Sequence, residues 1–381
     1  MKTKIAFDIS GLSWKYRTGV QNLYWAFVDA FAANTRYSEL FDITFYDRSG
    51  IFNHQVAKLI PRNYYSLTPK LFSNRLHRPM QLVIGAGLVP IPKLQNCINH
   101  VWNWGIFNPP LARASITIPD LLPLEYPQWF SPRLIKKTEK AIEFAQRDAE
   151  FINCISYDVK DRLSTYANLD PNKIRVIYPG ISRDYFTDVS SQTQNAVLEK
   201  YQLIKGEYLI SSGFLDPRKN LKNQIEAFSI YIQKKKTPLK YVLTGLENNL
   251  SQEIIQLLAK PFLRERIIFL GYVPMSDLRV LISASACMMY CSIAEGFGLP
   301  IIEAMALRAP VITSDSSSMR ELAQGRAQLV NPEDCESIAS AIEKTLESQD
   351  DVRSRLLANR QYAHSFTIER WFQGHLDHMC S

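Results

Sequence analysis

The 381-residue chain contains no apolar run of the roughly 18 residues that a membrane-spanning helix needs. Its longest candidates, over 82–92 and 280–291, are short and rich in small residues, and read as buried strands or pieces of helix. No G-x-G-x-x-G fingerprint occurs, so dinucleotide binding is not supported. The six cysteines (Cys97, Cys154, Cys287, Cys291, Cys335, Cys380) are scattered, and only Cys287 and Cys291 are close, with no partner pair at a zinc spacing. Reduced, mostly buried thiols are expected. The opening MKTKIAFDIS puts Asp8 where a signal peptide needs an apolar core, so a cytosolic protein is expected. There is no internal repeat of the 20–50-residue class and no low-complexity tract.

Carboxylates are missing from one stretch. Residues 51–100 hold six cations (Lys58, Arg62, Lys70, Arg75, Arg78, Lys93) and no Asp or Glu. Residues 1–180 carry 22 Lys+Arg against 14 Asp+Glu, whereas 181–381 carry 22 against 23. A one-sided basic face suits nucleic acid, a polyphosphate ligand or an anionic membrane; a merely solvated surface is the plain alternative. Apolar residues at 46%, charged at 21% and aromatics at 11% are those of a folded chain, and the length allows two domains.

The hydrophobic pattern is that of parallel α/β structure. A strand over 4–9 leads through a loop with Gly11 and Gly19 to an amphipathic helix over 20–33, and strand-like runs follow at 41–46, 114–118, 150–155 and 174–178. The polar segment 188–195 is the best linker candidate. Strands of four or five residues then alternate with helices from 208 to 314, which predicts a second doubly wound sheet. Two such domains in tandem, 1–187 and 188–366, leave a central cleft that both sheets can face.

Two motifs stand at strand-to-helix junctions. In Glu295-Gly-Phe-Gly-Leu-Pro-Ile-Ile-Glu303, two carboxylates flank a Gly-x-Gly turn whose backbone N–H groups and helix N-terminus suit an anion. Glu303 falls over one turn into the helix, where it can accept from a vicinal diol. In Gly213-Phe-Leu-Asp-Pro-Arg-Lys-Asn220, Arg218 and Lys219 stand together just before a helix and suit a diphosphate. Thr18-Gly19-Val20 looks like a truncated glycine loop, a weak signal taken alone.

Together with PDLLPLEYPQWF near residue 119, IRVIYPGI, FLGYVPMSDL and the late SFTIERW, these motifs resemble the family 4 retaining glycosyltransferases of GT-B fold, in the family's order over nearly the whole chain. The form of the Arg-Lys motif resembles bacterial mannosyltransferases of surface-polysaccharide assembly. The resemblance implies two Rossmann-like domains facing a central cleft, with residues 367–381 forming a helix that crosses back to the first. It implies that Arg218 and Lys219 neutralise the leaving diphosphate, that Glu295 lies beside the donor sugar, and that Asp120 belongs to the catalytic set. The donor would be held by Gly19, Gly296, Phe297, Gly298 and Leu299, with Glu303 on the ribose and Val273 near the base. Pro119 stands where many relatives have His, and Phe214 where many have Arg, which leaves Arg218 to compensate.

The expected activity is metal-independent transfer of a hexose, foremost mannose from GDP-mannose, onto a saccharide or lipid-linked saccharide acceptor. No Asp-x-Asp pair is present to bridge a metal to the diphosphate. No cofactor and no nucleic-acid partner are expected. UDP-sugars, GDP-fucose and dTDP-rhamnose are the alternative donors, and a catalytically impaired sugar-binding subunit is the alternative role. The expected location is cytoplasmic, with peripheral contact at the inner face of the plasma membrane through the basic stretch.

Overall fold

Short, buried aliphatic runs alternate with amphipathic ones, and the chain folds them as two separate parallel sheets. The computed structural model describes residues 2–8, 25, 28–32, 36–47, 65–67, 97–102, 113–213, 216–245, 251–347 and 352–381. Residues 1–180 with 368–381 form one compact unit, and 181–367 form the other.

The first unit is built on seven parallel strands: β1 (Thr3–Asp8), β2 (Phe41–Asp47), β3 (Tyr65–Leu67), β4 (Ile98–Trp102), β5 (Arg113–Ile118), β6 (Phe151–Cys154) and β7 (Ile174–Val176). They lie in the order β3-β2-β1-β4-β5-β6-β7, with Ile5 paired to Ile43 on one side and Ile98 on the other. β4 and β5 are buried along almost their whole length, yet they carry polar residues, Asn99 and His100 on one and Ser115 and Thr117 on the other.

The helix Ile368–Met379 belongs to this unit although 187 residues of the other unit (181–367) precede it. It buries Trp371, Phe372, Leu376 and Met379. The Phe372 ring lies 5.6 Å from that of Phe7 and 4.9 Å from that of Tyr37, and Trp371 lies 5.8 Å from Trp102. A Cβ on Gly374 would stand 2.8 Å from Ile177 Cγ2, so the close approach of this helix requires glycine there.

Under that helix runs a buried polar chain whose direction is fixed by its ends. His375 Nδ1 is 2.9 Å from the Trp371 carbonyl and must donate to it. Its Nε2 therefore accepts from Thr117 Oγ1 at 3.1 Å, and Thr117 in turn accepts from His100 Nε2 at 3.2 Å. His100 Nδ1 then accepts from Ser115 Oγ at 3.0 Å. Ser115 accepts from Asn153 Nδ2 at 3.1 Å, and Asn153 Oδ1 accepts from His378 Nδ1 at 2.7 Å. All three histidines are neutral in this arrangement. Burial drives each below the usual imidazole value, His375 to about 3 and His378 to about 4.

The second unit has six parallel strands: β8 (Tyr208–Ser212), β9 (Lys240–Thr244), β10 (Ile267–Gly271), β11 (Cys287–Tyr290), β12 (Val311–Ser314) and β13 (Gln328–Val330), in the order β10-β9-β8-β11-β12-β13. Four of its helices matter below: α1 (Ser191–Lys200), α2 (Leu221–Lys235), α3 (Leu299–Ala306) and α4 (Ser317–Ala323). Phe228 and Ile225 of α2 pack with Leu209, Tyr241 and Met289 of the strands in its core.

Two expectations are corrected. The segment 188–195 is not a linker: Ser190 caps α1, its Oγ accepting from the Thr193 N–H at 3.1 Å, so the polar run is the first turn of a helix. The boundary between units falls at 180/181 rather than 187/188, because Ile181 bonds back to Phe366 and bridges to Thr367. Gly19, Phe214, most of the expected helix over 20–33 and all six cations of the basic stretch lie outside the described residues.

Candidate active site

The strand order of the second unit reverses between β8 and β11, and ligands of open α/β sheets bind outside the carboxyl ends of the strands at such a point. The loop after β8 carries Arg218 and Lys219, and the loop after β11 carries Glu295. Topology therefore brings to one spot residues more than 70 positions apart.

Pro217 starts a short 3-10 turn over Pro217–Lys219, and Asn220 ends it in the left-handed region at φ 57°. The Asn220 Nδ2 donates to the Cys291 carbonyl at 3.0 Å and the Pro332 carbonyl at 2.6 Å. The Ile293 N–H donates to the Arg218 carbonyl at 2.9 Å. These bonds tie the two loops together and fix where both cations point.

Glu295 is buried, and each of its oxygens is engaged. Oε1 accepts from Lys219 Nζ at 2.6 Å and from the Tyr290 hydroxyl at 2.9 Å; Oε2 pairs with Arg218, which also reaches Asp216 at 3.3 Å. Burial opposes the Glu295 charge, but Lys219 and Arg218 outweigh it and hold the carboxyl down at about 2. Burial lowers Lys219, with Glu295 restoring part of the loss. The cluster is two cations and two carboxylates, a polar knot at a loop-lined strand end.

The loop behind Glu295 is braced by α4. Ser317 Oγ accepts from the Glu295 N–H at 3.2 Å, and Ser318 Oγ donates to the carbonyls of Glu295 at 3.0 Å and Phe297 at 2.7 Å. Gly298, at φ 111°, precedes α3 in a conformation that L side chains rarely adopt. Gly296, Phe297 and Gly298 are buried, Leu299 is half-buried, and Val273 is buried just beyond the end of β10. Glu303 lies further along α3, apart from the Glu295 cluster, hydrogen-bonded to the buried hydroxyl of Tyr185. Burial pushes Glu303 up to about 7 against that bond. Asp120 sits in the other unit, half-buried after β5, where its Oδ1 accepts from the Leu122 N–H at 3.2 Å.

Residues 196–362, all within this second unit, match the family described as glycosyl transferases group 1. The chain is 30% identical over 247 residues to the O-antigen chain mannosyltransferase RfbU of Salmonella typhimurium (65% of this chain, 64% of that protein). It is 28% identical over 241 residues to the O-antigen chain mannosyltransferase B of Escherichia coli (63% and 62%). The matches thus span just under two thirds of those relatives' lengths. Among solved structures, it is similar to Anabaena HepE in complex with UDP and glucose, with a TM-score of 0.71, 16% identity and 99% of both chains covered. The fold is GT-B, two parallel α/β units in tandem.

The sequence motifs pointed to Arg218, Lys219, Glu295 and Glu303. They did not point to Tyr290, Asn220, Ser317, Ser318 or Tyr185. A tyrosine closing an otherwise aliphatic strand, CMMY, was the one visible hint of Tyr290.

Proposed function

We propose that this protein is a retaining, metal-independent glycosyltransferase that moves a hexose, foremost mannose from GDP-mannose, onto a saccharide or lipid-linked saccharide in surface glycan synthesis. The convergence of Arg218 and Lys219 on Glu295 at the sheet's switch point carries the reading. Breaking the bond between sugar and diphosphate puts negative charge on the leaving oxygen and positive charge on the anomeric carbon. Two fixed cations answer the first and a carboxylate held ionised answers the second; such preorganised charge is often the largest catalytic contribution. The named relatives, both mannosyltransferases of O-antigen chains, support the choice of sugar and pathway class. Incubation with radiolabelled GDP-mannose, beside UDP-sugars, GDP-fucose and dTDP-rhamnose, with a polyprenyl-linked saccharide acceptor and EDTA present, tests it. Transfer from GDP-mannose in EDTA with the α-configuration kept is expected; transfer that needs added manganese overturns metal independence.

Glu303 is proposed as the ribose acceptor. A hydroxyl donates better to a carboxylate than to its acid, and Glu303 sits at about 7. GDP affinity by calorimetry should therefore rise about tenfold from pH 6 to pH 8. Glu303→Ala should weaken GDP at pH 8 by about tenfold or more and remove the part of the pH dependence due to this group. Equal affinity in wild type and variant at pH 8 contradicts the assignment.

The basic stretch is proposed to rest on an anionic membrane surface, where each cation near the leaflet contributes about 1 kcal/mol. Among the described residues no helix is long and apolar enough to cross a membrane. Sedimentation with phosphatidylglycerol vesicles should fall steeply with salt, vanish for neutral vesicles, and drop when Arg62, Lys70, Arg75 and Arg78 become Ser. Wild type that stays in the supernatant at low salt speaks for a soluble acceptor.

A further inference from the structure

Tyr290 closes β11 with a buried side chain whose hydroxyl does two things at once. It accepts from Lys219 Nζ at 2.5 Å and donates to Glu295 Oε1 at 2.9 Å, while Lys219 donates to the same oxygen at 2.6 Å. Three groups, two from loops and one from the end of β11, thus close a ring of hydrogen bonds. The ammonium has three donors, and the ring uses two of them.

We infer that Tyr290 is a positioning residue of this site: its hydroxyl locks Lys219 and Glu295 into one geometry and keeps the lysine charged. The kinetic part of this inference rests on the glycosyl-transfer reading; the state of Lys219 does not.

The surroundings show why a hydroxyl is needed. The Lys219 side chain is only 14% exposed. Beside it and Tyr290 lies a cavity of about 20 Å³, lined also by Ser211, Gln224, Met289 and Ser292, with room for one water at most. Little solvent therefore reaches the ammonium from that side. The charged groups acting on Lys219 are Glu295 and Asp216, which favour its charge, and Arg218, which opposes it; burial opposes it most. The same three act on Tyr290, whose hydroxyl burial pushes well above the usual phenol value. Tyr290 therefore stays protonated, and a donor, across the working range. Gln224 supports the arrangement from behind: its Nε2 donates to the Lys219 carbonyl at 2.6 Å.

Tyr290→Phe keeps the ring and removes only the hydroxyl. Lys219 loses an acceptor, so its proton is released at lower pH. The full chain labelled with ¹³Cε-lysine reads this directly, with the Lys219 signal assigned by its loss in Lys219→Arg. The Lys219 midpoint should fall by about one pH unit in Tyr290→Phe, the worth of one hydrogen bond to a charged group. The alkaline limb of kcat/KM should move down by the same amount, and GDP affinity should weaken between the two midpoints but little at a pH well below both. Tyr290→Met, which fills similar space without a hydroxyl, is read the same way where Tyr290→Phe does not fold. An unmoved Lys219 midpoint in a folded variant overturns the inference. A midpoint that moves in a protein that transfers sugar from no nucleotide donor leaves the inference standing and overturns the glycosyl-transfer reading alone.

Discussion

Glu295→Gln should lower kcat for sugar transfer by about 100-fold or more while tightening the grip on nucleoside diphosphate. Both signs follow from the cluster. Glu295 is the negative member that faces two cations, one on each oxygen. An amide has nearly the same shape but no charge, so it offers nothing to an anomeric carbon turning positive; fixed charges of this kind are commonly worth about 10²–10³ in rate. The same change releases Arg218 and Lys219 from their counter-ion, and a diphosphate then meets one more unit of uncompensated positive charge. Steady-state transfer assays and calorimetry with GDP measure the two effects separately. A variant that loses nucleotide affinity and keeps its turnover would place Glu295 on the phosphates rather than at the reacting sugar.

Acid should unfold the first unit well before it reaches the Glu295 cluster. His375 and His378 hold protons only near pH 3 and 4 when folded, but near 6.5 when unfolded. A histidine depressed in this way contributes stability that is complete above pH 6.5 and lost as pH falls toward the folded value. Each loses about 1.4 kcal/mol per pH unit below 6.5, so the pair loses roughly 4 kcal/mol by pH 5. That is a large part of the 5–15 kcal/mol by which domains are stable. His100, also held well below 6.5, adds to the slope. The hydrogen-bond chain gives the local reason. His100 Nδ1 and His375 Nε2 are acceptors there, and protonating either removes that acceptor and forces its hydroxyl partner to turn. Glu295, held near 2, withdraws stability only below about 4.5. Urea titrations at pH 8, 6 and 5 should show a steep loss, shallower in His375→Gln. A stability that is flat from pH 8 to 5 refutes the neutral chain.

What could be read from the sequence was what is local. The runs that become β8, β11 and β12 are apolar over four or five residues and bounded by turns, so they declared themselves. The Gly-x-Gly turn and the Arg-Lys pair lie within nine residues each of their helix starts. The rest depends on partners distant in sequence. Tyr290 acquires a role only because β11 lies beside β8, which brings Lys219 to it from 71 residues away. Thr117 and His375 meet across 258 residues. The run 188–195 misled because serine, threonine and glutamine suit a linker and a capped first turn equally; the Ser190 cap decides it. The position of Asp120, on β5's loop in the other unit, was legible as a motif but not as a contact.

The return of Ile368–Met379 to the first unit has a consequence for the order in which the protein is made. Residues 181–367 are continuous and can close their core as soon as they emerge from the ribosome. Residues 1–180 cannot: the rings of Phe7, Tyr37 and Trp102 wait for Trp371 and Phe372. At about 5–20 residues per second, the 187 intervening residues take roughly 10–40 s to synthesise. For that interval the earlier-made half carries an uncovered aromatic surface, and the later-made half is the first to finish.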